Sequence, residues 1–256
     1  MSTLDEVLTG ELFGYLLVFA RIGSAVMLLP GFGEAYVAPR VRLVLALLLS
    51  LVVLPLAGPD LPPLPDSPLA LALLLGREIV VGLFLGTLAR LLLLALLTAG
   101  MIIALQSGVA NALANDPASA QQGSIIGNFL MALGAVLIFA TDLHHLLLRA
   151  LVDSYGLFTP GAPLEIGDMA DMVARIVSAS FALSMQIAAP FILVGLIFYL
   201  GLGLLARLMP QVQVFFVAMP MQIMLGMVVL MLTVSFGMLW FLGRFEGTLT
   251  GFLAPR

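Results

Sequence analysis

Cysteine and lysine are both absent from this chain of 256 residues, and charged side chains make up only 9% of it. Without cysteine there are no disulfides, no thiolate metal sites and no cysteine nucleophile. Without lysine, all ten basic residues are arginine, which by itself carries no function. The shortage of charge says more. A soluble domain has about 25% charged residues, and this chain has too few to solvate a surface. HExxH, GxSxG, Walker A and dinucleotide-binding signatures are missing as well. Catalysis is therefore not expected, nor is a metal or a cofactor. The small net charge of −4 argues against a nucleic-acid partner.

What is present is apolar. Hydrophobic residues make up 62% of the chain, the mean hydropathy is +1.20, and several runs exceed the roughly 20 residues that cross a bilayer. The composition specifies an all-α integral membrane protein with about six long apolar helices. They are expected at 9–29, 41–57, 69–105, 125–152, 174–206 and 212–243. No basic residue precedes Arg21, so the first run reads as a retained helix and not as a cleaved signal. The second connection holds five prolines between Pro59 and Pro68 and cannot be helical throughout. The fourth, 153–173, carries Asp153, Glu165, Asp168 and Asp171 and reads as an aqueous loop. Arginines fall on both sides, so the positive-inside count gives no orientation.

One stretch breaks the apolar pattern. Residues 106–128 read QSGVANALANDPASAQQGSIIGN, and Asp116 is the only charged side chain between Arg90 and Asp142. Polar non-helical backbone is tolerated at membrane depth only where protein buries it or a water-filled cavity adjoins it. The island is thus either an aqueous loop or a re-entrant element of a pore.

Other candidates are scarcer. Arg21, Arg77, Glu78 and Arg90 lie inside apolar runs, where a charge marks a pathway or a pair. Arg77 and Glu78 are adjacent and cannot face each other on one helix, so each needs a partner elsewhere. His144 and His145, with Asp142, raise the question of a metal. Adjacent helical residues point about 100° apart, however, which favours capping and interfacial placement. Met224, Met227, Met231 and Met238 share a helical face, read as core packing, with a compliant contact surface for a partner or a pore wall as the alternative. Glycines four apart (Gly10/Gly14, Gly82/Gly86, Gly123/Gly127 and Gly243/Gly247/Gly251) permit close helix contact within the chain or with another subunit.

Five segments in order carry a resemblance that spans nearly the whole chain. ARIGSAVMLLPGFGEAYVAPRVRLVLALLLS begins it, GREIVVGLFLG follows with Glu78 and Gly82, then GMIIALQSGVANALANDPAS and DLHHLLLRALVDSYGLFTPG. LGLGLLARLMPQVQVFFVAMPMQI is the most specific, through Arg207, Pro210, Gln211, Phe215 and Pro220. Together they resemble the FliR family of flagellar biosynthetic proteins, whose injectisome relatives are SctT and SpaR. Gln213 stands where the family usually has Asn, and Ala218-Met219 where a glycine-containing pair is common.

The resemblance implies an export-gate subunit of the flagellar type III secretion system in the bacterial inner membrane, at the basal body. It implies helical hairpins, with a FliP-like part over 1–173 and a FliQ-like hairpin over 174–256. FliP, FliQ and FlhB-type subunits would be its partners, and unfolded flagellar proteins would pass through the pore. It also implies a plug loop at about 106–123, through Gln106, Ser107, Gly108, Asn111, Asn115, Asp116, Pro117 and Ser119. Three alternatives compete: a virulence injectisome gate, a scaffold without a pore, and a stand-alone transporter with helices broken at Pro190, Pro210 and Pro220.

Overall fold

Long runs of Leu, Val, Ala and Ile leave the backbone one local way to satisfy its N–H and C=O groups in an apolar medium, the α-helix. The computed structural model describes residues 2–57, 61–110, 124–208 and 214–253, and its regular structure there is entirely helical. The helices are α1 (Ser2–Val26), α2 (Pro39–Ala57), α3 (Pro68–Gln106), α4 (Ile125–Ala140), α5 (Leu143–Leu157), α6 (Ile166–Leu208) and α7 (Val214–Leu253). By length and composition α2, α3, α6 and Ala218–Gly251 of α7 can each cross a membrane, and the bent pair α4–α5 makes a fifth span if counted as one.

The differences from expectation are local. The span expected over 125–152 is two helices bent by 77°. Asp142 at the break has φ 59°, a left-handed conformation that ends α4 and redirects the chain. The segment 153–173 is not one loop, because Asp153 lies in α5 and α6 begins at Ile166. Asp168 stands in the first turn of α6, where its charge suits the positive end of the helix dipole. Pro190 and Pro220 lie inside continuous helices, so the helix breaks required by the transporter reading are not found at those two residues. Pro210 and Gln211 lie outside the described residues.

The chain forms two compact units, Met1–Leu91 with Ile138–Ile176 and Glu246–Arg256, and Leu92–Leu137 with Val177–Phe245. In the first, α1 packs on α2, and the Tyr15 hydroxyl donates to the Leu47 carbonyl at 3.0 Å. Gly82 and Gly86 seat α3 against α1: a Cβ on Gly82 would collide with Ser24 and the Arg21 carbonyl, and one on Gly86 would press on Ala25 and Leu28. Here the glycine pair packs within the chain. In the second unit, α3 and α4 approach until Gly100 meets Gly127 backbone to backbone, and Gly134 admits Leu96.

Candidate functional site

Two polar clusters lie within otherwise apolar packing, one in each unit. In the first unit Arg21 of α1 is fully buried, and a lone buried guanidinium would be very costly. Its Nε donates to Glu78 Oε2 of α3 at 2.6 Å, Nη1 to Ser154 Oγ at 3.3 Å and Nη2 to the Phe158 carbonyl at 2.7 Å. The guanidinium also stacks 4.0 Å above the Tyr155 ring. One arginine thus joins α1, α3 and the end of α5, and Glu78 has the partner its sequence neighbour could not provide. Arg77 is exposed and reaches the Gly161 carbonyl at 3.3 Å. Arg90 is half-buried on α3. This geometry fits a structural tie among α1, α3 and the end of α5.

The second cluster stands at the start of the polar island. α3 ends at Gln106, and Gly108 takes φ +73°, the left-handed turn that closes a helix C-terminus without steric cost. Gln222 of α7, itself buried, donates through Nε2 to the Gln106 carbonyl at 2.8 Å and to the Tyr199 hydroxyl of α6 at 2.9 Å. A C-terminal carbonyl of α3, left without an intrahelical donor, is satisfied by this amide. Glycines allow the approach: a Cβ on Gly195 would crowd Gln106 Oε1, and one on Gly226 would strike Ser107. The far end of the island returns to the same helix. Ser124 Oγ donates to the Gly100 carbonyl at 3.0 Å and accepts from the Gly127 N–H at 3.1 Å, capping α4. Gly100 and Gln106 are six residues apart, about 9 Å along α3. Both ends of the island are therefore tethered to the last turns of one helix. Asn111, Asn115, Asp116, Pro117 and Ser119 lie outside the described residues.

Of the remaining candidates, Arg207 and Pro220 are exposed, and Phe215 belongs to α7. Met238 is buried, but Met224, Met227 and Met231 are exposed, so most of the methionine face is not core within this chain. Gly243, Gly247 and Gly251 have open space where a Cβ would stand.

Asp142, His144 and His145 offer metal-ligand atoms within 4.8 Å of one another, and the two imidazole centroids are only 4.1 Å apart. Glu34 was not anticipated: it is buried after the Pro30–Gly31 break, with Oε1 lacking a partner among the described residues. Nor did sequence single out Tyr199 and Gln222. The signal was there for Gln222, the sole amide after Gln213 in a long apolar run.

Comparison with known proteins gives a consistent result. The family model for bacterial export proteins, family 1, matches residues 12–248. The flagellar biosynthetic protein FliR of Caulobacter vibrioides is 39% identical over 225 residues, covering 88% of this chain and 90% of that protein. FliR of Bacillus subtilis is 30% identical over 224 residues, 86% of each. The Yop proteins translocation protein T of Yersinia pestis is 30% identical over 154 residues, 59% of each.

Proposed function

Because the chain belongs to the FliR family of bacterial export proteins, we propose that it is a core subunit of the flagellar type III export gate. With FliP- and FliQ-type subunits, and FlhB beside them, it forms the pore through which unfolded flagellar proteins leave the cell. The gate sits in the inner membrane at the basal body. Residues 1–173 act as its FliP-like part and 174–256 as its FliQ-like part, a division by resemblance and not by packing. The flagellar reading is favoured over the injectisome by the extent of the match, 88% of this chain for a flagellar relative against 59% for the Yop protein.

The observation that carries the mechanism is the tethering of the polar island at both ends to α3. Gln222 and Tyr199 hold its beginning, and the Gly100 carbonyl holds its end. Between these anchors lie uncharged amides and hydroxyls, with Asp116 as the one charge. Such groups hydrogen-bond with water or a passing backbone and offer no strong charge to retain a cargo. Residues 106–123 therefore serve as the plug of the closed gate, with Asp116-Pro117 fixing a turn. Export moves the segment aside, and the anchors let it return.

A deletion of residues 108–121 tests this in cells that retain the other gate subunits. The expected result is an assembled gate that leaks small ions. A gate that assembles without leaking overturns the plug.

A further inference from the structure

Asp142 is an anomaly at the start of α5. It occupies the N-cap position, yet its side chain makes no capping hydrogen bond, and its φ of 59° is the one left-handed value at a non-glycine among the described residues. An N-cap aspartate ordinarily accepts from the second or third helical N–H. Here its Oδ1 stands 3.7 Å from His145 Nδ1 instead. His144 is anomalous in a second way. Its ring stacks on Phe139 with centroids 4.9 Å apart, and its Nδ1 is shut off from solvent with no hydrogen-bond partner among the described residues.

We propose that Asp142, His144 and His145 form a site for a divalent transition-metal ion of borderline softness, Zn²⁺ being the type. The three donors already lie within 4.8 Å of one another. Ligands bonded at about 2.1 Å stand roughly 3–3.5 Å apart, so a rotation of His145 that unstacks the two imidazoles closes the set. Two imidazoles and a carboxylate suit Zn²⁺ better than Ca²⁺ or Mg²⁺, which prefer all-oxygen shells. The positive end of the α5 dipole opposes a cation there, and the uncapped Asp142 carboxylate offsets it. A bound ion accounts for all three oddities together: the left-handed aspartate, its unused cap and the orphan His144 nitrogen. Its consequence is mechanical. All three donors lie at the start of α5, so the ion would fix the first turn of that helix.

The chain itself simplifies the test, since it has no cysteine and only these two histidines. Zn²⁺ is titrated into the full-length chain, purified without a polyhistidine tag in detergent micelles, by calorimetry and by competition with a colorimetric chelator. One saturable ion per chain is expected. His144→Ala and His145→Ala each weaken it on the order of tenfold or more, and Asp142→Asn weakens it as well. Cu²⁺ bound in place of Zn²⁺ should show magnetic coupling to two imidazole nitrogens. Because Asp142 and His145 are exposed, Asp142→Asn and His145→Ala keep the fold, which far-UV dichroism verifies. Unsaturable uptake, or unchanged affinity in His145→Ala, overturns the site.

Discussion

Arg21 and Glu78, 57 positions apart, meet as an ion pair with 2.6 Å between Nε and Oε2, and almost nothing of either side chain reaches solvent. Removing one member of such a pair leaves an uncompensated buried charge, at a cost of about 3–5 kcal/mol. Replacing both by apolar groups of similar volume removes the desolvation penalty along with the attraction. Glu78→Gln should therefore lower the melting temperature of the purified chain strongly. Arg21→Met combined with Glu78→Leu should recover most of that loss. If the double variant is as unstable as the single one, Arg21 matters chiefly through Ser154 and the Phe158 carbonyl.

The sequence marked both partners but could not join them. Charges inside apolar runs are visible in a list of residues, whereas the faces that two helices present to each other are set by packing. The helices themselves were legible because their apolar runs are long. The break at Thr141-Asp142 was not, since neither glycine nor proline announces it. The acids at 165–171 signalled water, and they equally suit the first turns of a helix. At the island, Gln106 and Gly108 stood out by contrast with their neighbours. Gln222 did not, because it sits among methionines that drew a packing reading instead.

Gln222 yields the second prediction. Gln222→Met keeps the length of the side chain and removes the donor to both Gln106 and Tyr199. Even a fully buried acceptor left unpaired costs only about 1–3 kcal/mol, and the Gln106 carbonyl is part-buried, so the loss is too little to unfold the chain. The variant should assemble into the gate and yet leak small ions, because the start of the plug has lost its anchor. Measured leak equal to the parent's would show that the clasp does not hold the closed state.

Gly108 provides an independent check on the same anchor. Its φ of +73° and the Gln222 amide at 3.2 Å from a notional Cβ both disfavour a side chain. Alanine in a left-handed position costs about 1–2 kcal/mol, and asparagine less. Gly108→Ala should leak more than Gly108→Asn, with equal amounts of assembled gate. The reverse order would mean that the left-handed turn is not what positions the segment.

Two glycine pairs separate packing within the chain from packing against other subunits. A Cβ on Gly82 meets Ser24 Oγ and, at the Arg21 carbonyl, the backbone of α1, which cannot swing aside as a side chain can. Overpacking of this kind costs about 1–3 kcal/mol, so Gly82→Ala should destabilise the chain even when it is purified alone. At Gly243 and Gly247 a Cβ meets nothing within 4 Å. Alanine there favours the helix by roughly 0.5–1 kcal/mol, and the isolated chain should be as stable as the parent or more so. In the proposed assembly that face of α7 is free for a neighbouring helix, and glycines four apart permit the closest approach. Gly243→Ala with Gly247→Ala should therefore reduce co-purification with FliP- and FliQ-type subunits while leaving the chain's own melting temperature intact. Undiminished co-purification would mean that the face meets lipid, where an added methyl group has no neighbour to displace.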